Sequence, residues 1–466
     1  MHEVQTDGHD HQAPTYSAES FSREIPKLDI PRDGLDAEVA YQLVHDELNL
    51  DGNPALNLAS FVTSWMEPAA DRLAVETLNK NMIDQDEYPR TEAIHERVVT
   101  MLGRLFHAPP DRTPVGTATI GSSEAIMLAL LAHKRTWQLR RRAAGLPDDR
   151  PNLVVGADVH TCWEKFARYF EVEARVAPMR DGAYTLSAAD VASRIDERTI
   201  AVGGLLGTTF TGQMDELGPI NDVLAETRAR DGWEIALHID AASGGFIIPF
   251  SQPDLAWDFR LSEVRSINVS NHKFGLVYPG MGTVIFRDRS DLPAELVFHI
   301  NYLGGDMPNY SLNFSRPSSS VVLQYYNFLR LGRSGYERIV GSVLENAQTL
   351  AARLGQTGRF EVINDASDFP IVAVSARRGE DLDLRLLSRR LREKGWIVPA
   401  YSLPADAEHV TVLRIVVKES FSRDMVDLLA DDIEAAIGEL CQPTPADRDL
   451  SAGVPPPAAE RERPIC

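Results

Sequence analysis

Two residues, Asp240 and Lys273, have the types and the spacing to act together on a carbonyl compound. Asp240 follows the apolar run Ile235–Ile239, and Lys273 lies 33 residues further on, after the run Ser266–Val269. Ligands of open α/β sheets bind at the carboxyl ends of the strands, where both side chains would project. A lysine there can hold a carbonyl group as an imine, while an aspartate keeps a pyridine nitrogen protonated. With the Ala-Ala-Ser-Gly-Gly run and His272 beside it, the pair indicates Schiff-base chemistry rather than the alternative, a structural ion pair.

A second segment has the composition of an anion site. Gly121, Ser122 and Ser123 directly precede an apolar-periodic stretch, and Glu124 comes next. Small residues at a helix start let backbone N–H groups and hydroxyls reach an anion at the positive end of the helix. On its own, the segment is more typical of an ordinary helix N-terminus with a first-turn glutamate. A phosphorylated pyridine cofactor held by Lys273 would need a phosphate site nearby, and this favours the anion interpretation.

These residues must be positioned by the strands and helices of the middle of the chain. Short apolar runs bounded by Gly, Asp or Ser alternate there with helical stretches, a pattern that favours a mostly parallel sheet with helices on both faces. The predicted strands are Asn152–Val155, Thr199–Leu206, Ile235–Ile239, Ser266–Val269 and Thr283–Phe286, and two of the predicted helices are Ser123–Ala144 and Phe166–Val172.

The pattern changes at about Gly335, where a smaller α+β domain is predicted. Its predicted elements are the helix Tyr336–Leu354, the strand Ile371–Val374, the helix Leu384–Lys394, the alternating run Val410–Val417 and the helix Ser422–Leu440. We therefore divide the chain into an N-terminal arm with a helix at Leu35–Leu48 (1–57), a large domain (58–335), a small domain (336–442) and a proline-rich tail (443–466), predicted to be disordered.

Composition excludes several classes of protein. The 466 residues carry 47 basic and 68 acidic side chains, a net charge of −21, which disfavours a general binder of nucleic acid or anionic membranes. Cys162, Cys441 and Cys466 form no disulfide framework, and no signal peptide or membrane-length apolar run is present. A cytoplasmic protein is the expectation. No nucleotide-binding loop and no metal-ligand spacing is found.

Further motifs carry a family resemblance that runs from about Asp36 to about Leu440. The chain resembles glutamate decarboxylase, the bacterial and plant branch of the group II pyridoxal-phosphate decarboxylases. The matching segments, besides His238–Phe246 and Ser270–Gly275, are Asn57-Leu-Ala-Ser-Phe61, Asn79-Lys-Asn-Met-Ile-Asp84, Glu87-Tyr-Pro89, Cys162–Phe170, His299–Gly305 and Asn313-Phe-Ser-Arg-Pro317. The resemblance implies the aspartate-aminotransferase-like α/β fold (type I), a pyridoxal 5'-phosphate cofactor and at least a homodimer, with hexamers among relatives.

The resemblance also implies how the cofactor ring is held. Lys273 would bond to the cofactor, and Asp240 would pair with the pyridine nitrogen. Ala242 would lie against one face of the ring, with His160 opposite, where many relatives of this branch have glutamine. Thr209 would contact the phenolic edge.

Phosphate and substrate contacts are implied in the same way. The phosphate would be held by Ser122, Ser123, Ser270 and His272, and Ser315 would reach the phosphate of the neighbouring subunit. The distal carboxylate of the substrate would be received by Ser60 (threonine in relatives), Phe61, Asn81 and Asp84, partly from the partner chain. Arg414 resembles the arginine that meets the α-carboxylate, its alternative being a solvent-facing strand arginine. Tyr302 is the candidate for protonating Cα, its alternative being a packed aromatic residue.

The implied reaction is decarboxylation of L-glutamate to 4-aminobutanoate and CO2, which consumes a proton and suits a role in acid resistance. Two alternatives stay open: a decarboxylase of another amino acid, such as aspartate or tyrosine, and a catalytically silent relative that acts as a partner protein. The tail lacks the histidine of some bacterial relatives and the basic calmodulin site of plant ones. His2, His9 and His11 could respond to pH, although a solvated arm is the simpler interpretation.

Overall fold

A computed structural model describes residues 27–111, 113–301 and 307–440, and its contacts divide the chain into two units, Met1–Leu56 and Asn57–Cys466. The first unit contains helix α1 (Ala37–Leu48), close to the predicted Leu35–Leu48. Asp36 starts this helix because its carboxylate accepts the Glu38 N–H at 2.9 Å. The predictions for Tyr302, the N-terminal histidines, Cys441, Cys466 and the tail lie outside the described residues.

The second unit holds a large sheet, a small sheet and a two-stranded hairpin. The strands are β1 (Val115–Thr119), β2 (Asn152–Gly156), β3 (Glu173–Ala177), β4 (Thr199–Leu205), β5 (Ala236–Asp240), β6 (Val264–Val269), β7 (Gly282–Phe286), β8 (Phe298–Ile300), β9 (Met307–Asn309), β10 (Phe360–Asp365), β11 (Ile371–Ala376), β12 (Ala400–Ser402) and β13 (Thr411–Val416). The helices are α2 (Pro68–Thr77), α3 (Pro89–Leu105), α4 (Gly121–Ala143), α5 (Thr161–Tyr169), α6 (Ala188–Ala192), α7 (Leu217–Asp231), α8 (Ile248–Ser251), α9 (Ser319–Gln356), α10 (Leu384–Glu393) and α11 (Arg423–Leu440).

The large sheet has the strand order β1-β7-β6-β5-β4-β2-β3. Strands β2 to β6 pair in parallel, whereas β7 runs antiparallel to both β6 and β1. All residues of β2, β4, β5 and β7 are buried, as expected for strands covered on both faces. The predicted mostly parallel sheet is confirmed, and its parallel strands share one carboxyl edge.

The small sheet is antiparallel, with the order β10-β11-β13-β12; α9 and α10 pack against it, and α11 packs against these two helices. The predicted strand Ile371–Val374, the alternating run Val410–Val417 and the helices Leu384–Lys394 and Ser422–Leu440 are confirmed within two residues. The division at residue 335 stays a prediction, and it falls inside α9. No helix of the described ranges is long and apolar enough to cross a membrane.

Two predicted helices have the wrong bounds. The helix predicted at Tyr336–Leu354 is the second part of α9, which begins at Ser319; Gly332, with φ 58° and ψ −176°, breaks the helical pattern between the two parts. The helix predicted at Phe166–Val172 is α5, which begins earlier because His160 Nδ1 accepts the Cys162 N–H. It ends before Glu171, whose φ of 54° is left-handed.

Candidate active site

A cavity of about 230 Å³ opens at the carboxyl edge of the large sheet. Asp240 ends β5, the Ser270–Lys273 segment follows β6, and α4 begins beside them. Nine of the ten predicted cofactor residues line this cavity, and Ser315 is the one that does not. The nine are Ser122, Ser123, His160, Thr209, Asp240, Ala242, Ser270, His272 and Lys273.

The first turn of α4 forms one end of the cavity. Ser122 Oγ and Ser270 Oγ lie 2.6 Å apart, so two hydroxyls converge where the helix presents its free N–H groups. Gly121 has a φ of +72°, and a Cβ on Gly282 would come within 2.5 Å of the Gly121 carbonyl carbon. The start of α4 and β7 can approach this closely only because both positions are glycine. The use of this end of the cavity as an anion site stays a prediction.

His272 closes the same end of the cavity as a neutral side chain. Its Nδ1 accepts the Met281 N–H at 3.2 Å, which leaves the proton on Nε2. Burial, aided by the charge of Lys273, lowers the pKa of His272 to about 4. The ring is therefore a hydrogen-bond donor at neutral pH.

Lys273 is poised to lose its proton. Its Nζ donates to Ser243 Oγ at 3.0 Å and lies 4.7 Å from the centre of the Phe61 ring. Burial lowers the pKa of Lys273 to about 8; the charge of Asp240 opposes this shift and that of Arg414 adds to it. A lysine with such a pKa is a usable nucleophile near neutral pH.

Asp240 is oriented by three N–H donors. Trp163 Nε1 donates to Oδ2 at 3.2 Å, while Asn268 Nδ2 and the Ala242 N–H donate to Oδ1 at 2.9 Å and 3.1 Å. Since Lys273 and Asp240 have separate hydrogen-bond partners, they do not form the structural ion pair that was the alternative interpretation.

Behind Asp240, a buried histidine holds Asn268 in place. His238 Nε2 lies 2.8 Å from Asn268 Oδ1, which can only accept, so Nε2 donates; His238 Nδ1 lies 2.7 Å from Ser266 Oγ. Burial lowers the pKa of His238 to about 4. Sequence reasoning missed Asn268 and Trp163. A signal for Asn268 was available, since Ser266 and Asn268 are polar at alternate positions of the buried strand β6 and Ser270 directly follows it.

Arg414 and Phe61 adjoin Lys273 from the opposite side. The Arg414 guanidinium donates to the carbonyls of Thr209 and Ala59, each at 2.6 Å, and lies 5.0 Å from the centre of the Phe61 ring. Its side chain is only 6% exposed, so it is not a solvent-facing strand arginine. Its Nε is buried and has no hydrogen-bond partner in the described part of the chain.

None of the five predicted substrate residues is among those that line the cavity, although Phe61 and Arg414 adjoin Lys273. Ser60 Oγ accepts the Val62 N–H at 3.2 Å. Asn81 Nδ2 donates to Ser315 Oγ at 3.2 Å, which joins two predicted residues in a second cluster, and Asp84 lies three residues further along. Their predicted use by a partner subunit stays a prediction.

Glu124 is a further residue that sequence reasoning left as a first-turn glutamate. Its buried carboxylate accepts the Ile120 N–H at 2.7 Å through Oε2 and the Leu312 N–H at 2.8 Å through Oε1. It therefore ties the segment that leads to Ser315 onto the start of α4.

Comparison with known proteins identifies a family of decarboxylases and similar glutamate decarboxylases. The model of the pyridoxal-dependent decarboxylase conserved domain matches residues 31–377. Glutamate decarboxylase of Solanum lycopersicum is 50% identical over 428 residues, 91% of this chain and 85% of the relative. That of Aliivibrio fischeri is 44% identical over 425 residues, 91% of each chain. The solved structure of a Lactobacillus brevis glutamate decarboxylase superposes with a TM-score of 0.89 at 42% identity and covers 92% of this chain and 99% of that one.

Proposed function

The chain belongs to the pyridoxal-dependent decarboxylase family, and from this premise we propose that it converts L-glutamate to 4-aminobutanoate and CO2. The observation that carries the proposal is the single cavity that brings together Lys273, Asp240 and the Ser122–Ser270 hydroxyl pair. Extensive identity with proteins named glutamate decarboxylase supports the choice of substrate.

The residues of the cavity fit pyridoxal phosphate. The N-terminus of α4 with Ser122, Ser270 and neutral His272 would hold the phosphate, and Lys273 would hold the cofactor covalently. Asp240 would meet the pyridine nitrogen, Thr209 the phenolic edge, and His160 and Ala242 the two faces of the ring. When bound, the cofactor supplies a ring that takes up the negative charge left by the departing carboxylate.

The protein would contribute orientation and charge. The three N–H donors on Asp240 fix its oxygens, so no reorganisation is needed when charge develops beside it. Arg414, clamped between two backbone carbonyls, would set the direction of the α-carboxylate, and this direction selects the bond that breaks. Tyr302 is proposed to deliver the proton to Cα.

For the distal carboxylate of glutamate we propose Ser60 and Phe61, together with Asn81 and Asp84 of a partner subunit. The Asn81–Ser315 cluster lies near exposed apolar side chains, among them Leu78, Leu312 and Phe314, that a second copy of the chain would cover. We therefore propose a homodimer at least. Sedimentation that shows a monomer at working concentrations would contradict it.

A cytoplasmic location is also proposed, since Cys162 is a free, buried thiol.

The test of function is CO2 release from a panel of amino acids by the full chain loaded with pyridoxal phosphate. We expect glutamate to be the preferred substrate, and preference for aspartate or tyrosine would overturn the substrate assignment. Lys273→Ala should abolish both CO2 release and the borohydride-dependent fixation of the cofactor to the protein. Lys134→Ala, at a lysine that donates to the Phe170 carbonyl, is the matched control. A cofactor-loaded wild type that releases no CO2 from any amino acid would indicate the silent relative instead.

A further inference from the structure

One carboxyl group of the cavity has no assigned role. Asp158 follows β2, lines the cavity and is 1% exposed. Its Oδ1 lies over Gly156, where a Cβ would come within 2.2 Å of it. Its Oδ2 is buried and has no hydrogen-bond partner among the described residues. A buried, unpartnered carboxylate oxygen is costly, so the atom calls for either a proton or a ligand.

The titratable groups around Asp158 favour a proton. Asp240 at the end of β5 and Asp215 after β4 interact with Asp158 electrostatically. Lys273 after β6 and His160 and Cys162 at the start of α5 are the other titratable groups near it that line the cavity, together with His272. Burial, with the charge of Asp240 adding to it, raises the pKa of Asp158 to about 7. Asp158 and Asp240 line the cavity together with Lys273, and the buried Asp215 acts on Asp158 electrostatically, so a proton on one of these carboxyl groups relieves their mutual repulsion.

Asp158 is better placed than Asp215 to offer that proton to a ligand. Both oxygens of Asp215 are occupied, since Oδ1 accepts the Leu186 N–H and Oδ2 the Leu205 N–H, each at 2.7 Å. The Asp158 carbonyl accepts Thr208 Oγ1 at 3.1 Å, which places the residue beside the Thr208–Thr209 wall of the cavity. The Thr208 side chain also hydrogen-bonds the Asp158 carboxyl group, an effect on its pKa that is smaller than that of burial and opposite to it. In its neutral form Asp158 has one O–H donor, and Oδ2 has no hydrogen-bond partner among the described residues.

We propose that Asp158 is a further cofactor-binding residue, which in its neutral form donates a hydrogen bond from Oδ2 to an acceptor of bound pyridoxal phosphate at the wall formed by Thr208 and Thr209. This proposal rests on the proposed function in one respect, namely that the cavity takes this cofactor. It requires no transfer of the proton, because the acid stays neutral while the cofactor is bound.

The test is the affinity of apo-protein for pyridoxal phosphate, followed by fluorescence or absorbance between pH 6 and 8.5. At pH 6, Asp158→Ala should weaken binding by about 3- to 10-fold, since one hydrogen bond is lost. Asp158→Asn keeps a donor that does not ionise and should bind as wild type does. Above the point where Asp158 ionises, the dissociation constant of wild type divided by that of Asp158→Asn should rise, by up to about tenfold per pH unit.

The matched control is Asp258→Asn, at an equally buried aspartate that is bound by His107 and Arg260 away from the cavity. Its affinity should equal that of wild type at every pH. A ratio between wild type and Asp158→Asn that stays constant with pH would overturn the proposal, as would an unchanged affinity of a folded Asp158→Ala protein. If Asp158→Ala does not fold, the pH dependence of that ratio decides. A wild type that takes up no cofactor would instead overturn the proposed function itself.

Discussion

The carboxyl ends of β5 and β2 each bring a buried aspartate to the same cavity, and the two side chains differ in how many of their oxygens accept hydrogen bonds. Asp240 has both oxygens occupied by N–H donors from Trp163, Asn268 and Ala242. Asp158 is more deeply buried, and its Oδ2 accepts no hydrogen bond from the part of the chain that the structure describes. The N–H donors fix the orientation of Asp240, whereas burial raises the pKa of Asp158. Burial also raises the pKa of Asp215, whose oxygens both accept N–H groups, so depth and hydrogen-bond partners together decide how a buried carboxyl group acts.

Removal of the fixed anion should have the largest effect. We expect Asp240→Ala to fold but to lose most of its activity, by about a thousandfold (~4 kcal/mol), since nothing then keeps the pyridine nitrogen protonated. The measurement is kcat with saturating glutamate and cofactor, with Asp258→Asn as the control. A loss smaller than about tenfold (~1.4 kcal/mol) would contradict the role of Asp240 and remove the contrast with Asp158.

The neutral acid should instead make the stability of the apo-protein depend on pH. Because the pKa of Asp158 is raised to about 7, the folded chain keeps a proton that the unfolded chain loses near pH 4. The free energy of unfolding therefore falls as pH rises through this window, by up to about 1.4 kcal/mol per pH unit for one proton, or about 2.3 kcal/mol between pH 5 and 7, because Asp158 is half ionised at pH 7.

Asp158→Asn removes this titration, so its melting temperature should exceed that of wild type by more at pH 7 than at pH 5, by about 2–3 °C for a chain of this size. Thermal unfolding of the two apo-proteins at both pH values measures the effect. A parallel pH dependence in wild type and Asp158→Asn would show that Asp158 ionises as an ordinary surface aspartate does.

Much of this site could be predicted from sequence, because strand ends are visible as apolar runs that stop at a polar residue. Asp240 and Lys273 were found in this way. The partners of Asp240 were not, since Trp163 lies on a helix 77 residues away and no local pattern joins them. Asp158 escaped notice because an aspartate after a strand is usually a turn residue, and only the packing of β2 against its neighbours buries it. The first part of α9 was not predicted, because Gly332, which has a positive φ, interrupts the helical pattern between its two parts.

The smallest effect should come from the residue that links the fixed anion to the strand behind it. Asn268→Leu keeps the approximate volume but removes the donor to Asp240 Oδ1 and the acceptor for His238 Nε2. Loss of one hydrogen bond to a charged group costs about 1.5–3 kcal/mol, so kcat should fall by about 10- to 100-fold, less than in Asp240→Ala. Asn268→Leu combined with Asp240→Ala should then be no slower than Asp240→Ala alone, because Asn268 acts through Asp240. Additive losses in the double variant would mean that Asn268 contributes by a separate route.

Trp163→Phe removes the donor to Asp240 Oδ2 and leaves Asn268 in place. Combined with Asp240→Ala, it should likewise cause no further loss of kcat. A further loss would show that the two oxygens of Asp240 are not held as one unit.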